Sequence, residues 1–262
     1  MRGNKSIFMI HQTAVIDKSA IIEDNVEIGP NVVIGKDVII KSGSSIGANS
    51  YIEFAEIGKN CKIFNSVSVG TSPQDLSYKD ESAKVYIGDN TTLREFVNIN
   101  RGTKKTEKTI IGQNCYFMAS SHAAHDCRVG DNVIIGNCTM LGGHVHVGDN
   151  AFLSGLVGVH QFCKIGKGVM VAGGSIITMD VIHHAMCHGD RAVLSGLNLV
   201  GMKRRKMTAD EIQNIKEAYK ILFMSKLLLN DALAKLENSE SCHVREIVDF
   251  IKTSKRGILR PE

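Results

Sequence analysis

Four histidines and two polar neighbours carry the chemistry of this sequence. His122, His125, His144 and His160 fall in one stretch, with Asp126 directly after the second and Gln161 directly after the last. An imidazole at neutral pH can take a proton from a hydroxyl, or it can ligate a metal. A carboxylate beside it could hold the ring in one tautomer, and Gly143, with no side chain, could offer a backbone N–H to a developing oxyanion. A third reading is that these are turn histidines satisfying backbone groups. A zinc site built on His122 or His125 with His160 finds no third ligand in a suitable place. The clustering favours the general-base reading, with His125 as the base.

A six-residue rhythm positions these groups. Apolar residues recur at Ile111, Phe117, Ala123, Val129, Ile135, Leu141, Val147, Leu153, Val159, Ile165, Val171 and Ile177, with glycine directly after many of them. Six matches neither the helical period of 3.6 nor the alternation of a plain strand. It matches short strands joined by tight turns, three hexads to one triangular coil of a parallel β-helix. Residues one coil apart then stack. His125, Gly143 and Gln161 share a column, and Asp126, His144 and Phe162 share the next. Neighbours on a straight strand face opposite ways, so His125 and Asp126 can cooperate only at a corner. A column of Asn137, Gly155 and Gly173 would leave a groove poor in side chains beside them.

The rhythm starts at Ile10, runs to Ile52, slips by one residue to Ile57, and gives about nine coils in all. At ordinary strand spacing that is a prism on the order of 40 Å long. It breaks at 71–84 and again at 100–109, and such excursions from a rigid scaffold are where function usually sits. The spool therefore spans 1–190. Residues 191–262 form a connecting segment, irregular over 190–206, and a helical domain. Thr208-Ala209-Asp210-Glu211 reads as a capping box before the apolar stripe Ile212, Ile215, Ala218, Tyr219, Leu222 and Phe223. A second helix is expected near 230–237. A third carries Val244, Ile247, Val248 and Ile251 and ends before Gly257 as its C′ residue.

Composition bounds the function classes. With 262 residues, 43% apolar, 22% charged and a net charge of +4, the chain is a globular protein with too diffuse a positive charge to argue for nucleic acid. No apolar run is long enough for a membrane span. The start, Met1-Arg2-Gly3-Asn4, leads into no secretory signal pattern, so a cytoplasmic location is expected. The seven cysteines form no disulfide or CxxC pattern. Cys61, Cys115, Cys127 and Cys163 sit four residues after the hexad's apolar position and read as small buried thiols.

Several motifs together resemble the UDP-N-acetylglucosamine O-acyltransferase family. They are Pro73-Gln74-Asp75, Asn98-Ile99-Asn100-Arg101-Gly102-Thr103, His122-Ala123-Ala124-His125-Asp126-Cys127, Gly143-His144-Val145, Val159-His160-Gln161-Phe162 and Gly201-Met202-Lys203-Arg204-Arg205. The resemblance covers nearly the whole chain, helical tail included. It implies a left-handed β-helix, a cytoplasmic homotrimer with its cleft between subunits, and the opening reaction of lipid A synthesis. A 3-hydroxyacyl group would pass from acyl carrier protein to the glucosamine 3-hydroxyl, with no cofactor and no metal.

By the same resemblance, His125 is the general base, Asp126 its partner and the Gly143 amide the oxyanion donor. Gln74, Asp75, His122, His144, His160 and Gln161 contact the sugar side of the substrate. Asn198, Arg204 and Arg205 hold the nucleotide of a neighbouring subunit, and Gly173 occupies the acyl-chain ruler. An acidic carrier fits the local basic run Lys203, Arg204, Arg205 and Lys206 with Lys216 and Lys220. Three positions depart from the family pattern: Ser77 where a lysine is common, Val200 where an acidic residue is, and Asn100 where a histidine is. Some relatives acylate an amino sugar instead, and a zinc hydratase or a non-catalytic scaffold are the readings from other classes.

Overall fold

Each hexad becomes a two-residue strand whose second residue points inward, as Ile34, Ile40, Ile135 and Leu153 do at 1% exposure or less. The computed structural model describes residues 10–262; the charged start at 1–4 lies outside the described residues. The strands form three sheets, all parallel but for the last strand of the third, and the chain visits each in turn. A nine-stranded sheet runs from Val15–Ile16 to Ile176–Ile177 and an eight-stranded one from Ile21–Ile22 to Lys164–Ile165. A ten-stranded sheet starts at Glu27–Ile28. The result is a left-handed parallel β-helix. Its interior is a continuous stack of Ile, Val and Leu with Phe117 the largest fully buried side chain. Burying each such side chain contributes about 2 kcal/mol.

One coil is 18 residues, so Val15 pairs with Val33 and His122 with Met140. The slip after Ile52 shortens one coil to 17, and Ile40 pairs with Ile57. It is absorbed at a corner, where Phe54 takes φ +44° beside the strand Ala55–Ile57. The two excursions lengthen coils to separations of 30 and 24 residues, and the ladder shifts register between Val69 and Thr71 where the first one leaves. They are tighter than the sequence suggested. Ser68–Thr71, Lys84–Ile87, Asn98–Asn100 and Lys108–Ile111 are all strand, because these longer segments keep pairing with one another.

Corners repeat a left-handed residue on each coil, often Asn or Asp as at Asn31, Asn49, Asn132 and Asn150. Cys61, Cys115, Cys127 and Cys163 are at most 2% exposed, and burial pushes the Cys127 thiol up to about 12. These thiols are packing, with no thiolate to attack anything.

The span 190–206 is not irregular. Ala185–His188 pairs with the spool, and Val193–Leu197 folds back antiparallel on it around Gly189 at φ +106°. Helix α1, Leu199–Arg204, follows. A single hairpin carries no hexad rhythm, so periodicity could not reveal it. Helix α2, Ala209–Phe223, has the expected capping box. Glu211 N–H donates to Thr208 Oγ1 at 3.2 Å, and Thr208 N–H donates to the Glu211 carboxylate at 2.7 Å. Helices α3, Leu229–Leu236, and α4, Cys242–Lys252, bury Leu233, Val244, Ile247, Val248 and Ile251 against α2. Gly257 does not cap α4, which ends at Thr253. It lies further on at φ +73°, where Asp180 N–H donates to Gly257 O and the chain's end bridges back to the spool at Ile258. Among the described residues no helix is long and apolar enough to cross a membrane.

Candidate active site

The corner that follows the nine-stranded sheet resolves the facing problem of His125 and Asp126. Asp126, His144 and Phe162 stack there on successive coils, all in the left-handed region at φ 61°, 60° and 68°. That turn swings the Asp126 carboxylate round to its neighbour's ring. His125 Nδ1 lies 2.7 Å from Asp126 Oδ2. A left-handed His or Phe costs about 1 kcal/mol, and the ladder above and below holds it in place.

The Asp126 side chain is wholly buried, whereas His125 and His144 keep 13% and 12% of theirs exposed. Burial pushes the Asp126 carboxyl up, but hydrogen bonds from His125, Thr106 and Thr103 outweigh it and hold it well below the usual carboxylate range. An ionised Asp126 accepts only, so His125 carries its proton on Nδ1. Its Nε2 has no protein partner among the described residues. His144 stacks on Phe162 at 4.6 Å, meets His125 edge-on at 5.3 Å, and places Nε2 3.5 Å from Asp126 Oδ2. Burial lowers the His144 pKa, with the Asp126 charge opposing. His144 is therefore a neutral wall to the site.

Gly143 lies buried beneath the His125 ring. A Cβ there would sit 2.6 Å from Cε1 and 2.7 Å from Nε2 of that ring. Its N–H has no protein acceptor among the described residues, as expected at a turn position that Pro30 fills on another coil. Gly143→Ala is expected to displace the ring and lower kcat about tenfold or more while thermal stability changes little. Steady-state kinetics beside a melting curve checks both.

The residues expected on the sugar side divide. Gln161 is exposed one coil above Gly143, and His160 Nδ1 bonds to Gln161 O at 3.0 Å. His122 and His160 border a shallow groove of about 340 Å³ over Met140, Gly158 and Ile176. The His122 pKa is lowered by burial, and its Nδ1 meets Asn98 O at 3.2 Å. Gln74 and Asp75 ride on the first excursion, anchored by the buried Arg101. That guanidinium bonds Glu53 at 2.9 Å, Gly70 O at 2.7 Å, Ser72 Oγ at 3.1 Å and Tyr78 OH at 2.9 Å. It also lies 4.6 Å over the Phe54 ring. Gly70, at φ +81°, approaches Glu53 so closely that no side chain would fit.

Two departures gain a local role. Ser77 N–H and hydroxyl both donate to Asp75 Oδ1 at 2.8 Å and fix that carboxylate. Asn100 Nδ2 donates to Thr71 Oγ1 and Ser72 O at the loop's root. Val200 is 60% exposed on α1, and nothing in the structure explains it.

Asn198, Arg204 and Arg205 do not join His125 within one chain; they lie along another edge of the prism. Asn198 caps α1 through Gly201 N–H and donates to Gly168 O at 3.0 Å. Arg204 is exposed. Arg205 is not part of the exposed basic run: its guanidinium packs over Gly168 and reaches His184 Nδ1 at 3.1 Å. Gly173 is likewise apart from the groove lining, at an exposed corner where an added Cβ would meet Gly155 O at 3.3 Å.

The expected lack of a third metal ligand needs correcting, because His125, Asp126 and His144 bring ligand atoms within 4.8 Å of one another. A spacing argument over His122 and His160 missed this set. The donors fit a metal poorly. Both Asp126 oxygens already accept from Thr103, Thr106 and His125, so an ion would have to displace bonds that this buried carboxylate depends on. Sequence reasoning also missed Thr103, Thr106 and Lys105, whose Nζ lies 5.8 Å from the Phe162 ring. Thr103 closes one of the family motifs without a role attached to it, and the signal for Lys105 and Thr106 was a polar, lysine-rich loop breaking the rhythm.

Comparison with known proteins adds to this geometry. Residues 180–259 match the family described as UDP N-acetylglucosamine O-acyltransferase, domain 2, and 108–143 match the bacterial transferase hexapeptide family. Residues 5–110 match the C-terminal domain family labelled GMPPB. The chain is 43% identical over 204 residues to the acyl-[acyl-carrier-protein]–UDP-N-acetylglucosamine O-acyltransferase of Aliarcobacter butzleri, covering 77% of this chain and 78% of that one. Against the solved UDP-N-acetylglucosamine acyltransferase of Bacteroides fragilis the TM-score is 0.93 at 40% identity, over 96% of this chain and all of the other. The corresponding Arabidopsis structure gives 0.76 at 33% identity, over 95% and 99%.

Proposed function

This chain belongs to the acyl-[acyl-carrier-protein]–UDP-N-acetylglucosamine O-acyltransferase family, and we propose that it moves a 3-hydroxyacyl chain from acyl carrier protein to the 3-hydroxyl of UDP-N-acetylglucosamine, the first step of lipid A synthesis. The observation that carries the mechanism is the His125 ring, fixed at Nδ1 by a buried carboxylate with Nε2 free. The sugar hydroxyl oxygen attacks the thioester carbonyl carbon as His125 Nε2 takes its proton. The Gly143 N–H faces the oxyanion that forms. The C–S bond then breaks, and the departing carrier thiolate takes the proton back from the imidazolium. Among the described residues neither a cysteine nor a serine pairs with the His125 ring, which supports direct transfer with no acyl-enzyme.

The nucleotide is bound across a subunit boundary in a cytoplasmic homotrimer, with Gln74, Asp75, His122, His144, His160 and Gln161 on one side and Asn198, Arg204 and Arg205 from the neighbour. Support for contact between subunits comes from apolar side chains left exposed around the site, Met140, Phe162 and Ile176, at 42% to 46%. The exposed Lys203, Arg204, Lys206 and Lys220 suit an acidic carrier.

The test is to incubate the purified protein with UDP-N-acetylglucosamine and a series of 3-hydroxyacyl carrier proteins and identify the product by mass. An ester of the sugar is expected. No transfer with any chain length, or transfer only to the 3-amino analogue of the sugar, would overturn the assignment of the acceptor.

A further inference from the structure

The second excursion closes on the Asp126 carboxylate. Asp126 Oδ2 accepts from His125 Nδ1–H at 2.7 Å and from the Thr103 hydroxyl at 2.8 Å. Asp126 Oδ1 accepts from Thr103 N–H at 3.1 Å and from the Thr106 hydroxyl. A carboxylate has about four acceptor positions, and all four are taken. Three of the four donors come from two threonines of one loop.

That loop is built to stay closed. Glu107 N–H donates to Thr103 O at 2.7 Å and Lys105 N–H to Thr103 Oγ1 at 3.3 Å. Gly102 runs so close to the Lys108 backbone nitrogen that no Cβ would fit between them. The Thr106 hydroxyl also lies 2.9 Å from Lys108 O, but it has one hydrogen, and the charged acceptor takes it. The alternative partner for Asp126 is at hand, since His144 Nε2 is 3.5 Å from the same Oδ2. A carboxylate free to turn could serve either ring.

We infer that Thr103 and Thr106 are positioning residues for the acyl transfer, holding Asp126 toward His125 and away from His144, so that His125 offers Nε2 to the acceptor hydroxyl. The inference rests on the reading of His125 as the base. The threonines also draw charge off the carboxylate. Removing a hydroxyl concentrates that charge on the His125 ring and stabilises its imidazolium. The other charged or titratable groups facing His125 are Asp75 on the first loop, and His122 and His144 on adjoining strands and corners; Lys105 of the second loop acts on Asp75 and His144.

The test uses the whole enzyme with Thr103→Val, Thr106→Val and the Thr→Ser change at each site. For each valine variant kcat is expected to fall about tenfold with KM for the nucleotide sugar within about twofold. The acid limb of the kcat/KM profile is expected to move to higher pH, and serine is expected to restore both. A loss of packing alone would not move the pH limb. Thr106 is partly exposed, so its variant reads out even where the buried Thr103 variant unfolds. Folded variants with unchanged kcat and pH limb would overturn the inference. Turnover surviving His125→Ala would instead overturn the base assignment beneath it.

Discussion

Replacing His125 with alanine is expected to lower kcat by about a thousandfold, with KM for the nucleotide sugar changed only a few-fold. A positioned base supplies that scale of rate, and no neighbour can stand in for it. His144 is stacked flat on Phe162 with its Nε2 turned toward Asp126. His122 lies on the groove side with its Nδ1 at Asn98 O, and His160 bonds the Gln161 carbonyl. The fold should survive, because the His125 ring makes a single side-chain hydrogen bond and the corner that carries it is held by a backbone ladder. The check is steady-state transfer measured beside circular dichroism and molecular mass. Activity within tenfold of wild type would move the base elsewhere.

Asp126→Asn is expected to cost about a hundredfold or more in kcat, and unlike His125→Ala it should also destabilise the protein. The amide has one acceptor oxygen for four donors. Its NH2 group must then face Thr103, Thr106 or His125, and where it faces His125 the ring is driven to the opposite tautomer, with its proton on Nε2. The sign of the wild-type pH dependence follows from the same bonds. The folded carboxyl titrates below its unfolded value, so its stabilisation is complete above the unfolded pKa and is lost only as the pH falls through the acid range below it. Asp126 therefore keeps its charge across the neutral range, and because that charge favours a protonated imidazole beside it, the variant's loss of stability should not shrink as the pH falls from 9 to 6. Thermal melting of both proteins over that range, with kinetics at one pH, tests the pair of expectations. A variant as active as wild type would show that the ring needs no orienting partner.

The spool could be read from spacing because its physics is repetitive. An inward aliphatic residue every sixth position and an Asn or Asp at many corners leave few other solutions, and even the slip after Ile52 shows in the count. The His125, Gly143 and Gln161 column followed from the 18-residue coil. The hairpin 185–197 was hidden because one strand pair has no period to repeat. Gly257 misled because a left-handed glycine serves a return to the spool as readily as a helix end. Thr103 and Thr106 were hidden for a different reason. Their role depends on how a ten-residue loop folds back, and nothing in the local sequence states which carboxylate a loop hydroxyl will meet. Arg205 looked like one of a basic run, yet a neighbouring histidine and glycine draw it inward.

The tautomer of His125 bears most directly on the account. Long-range nitrogen–proton NMR on protein labelled at histidine nitrogen, with the His125 signals identified by their loss in His125→Asn, reads which ring nitrogen holds the proton. The account predicts a protonated Nδ1 and a bare Nε2 in the neutral ring, shifting toward the other form in Asp126→Asn. A neutral ring protonated at Nε2 in the wild type, with Nδ1 bare beside an ionised Asp126, would contradict it.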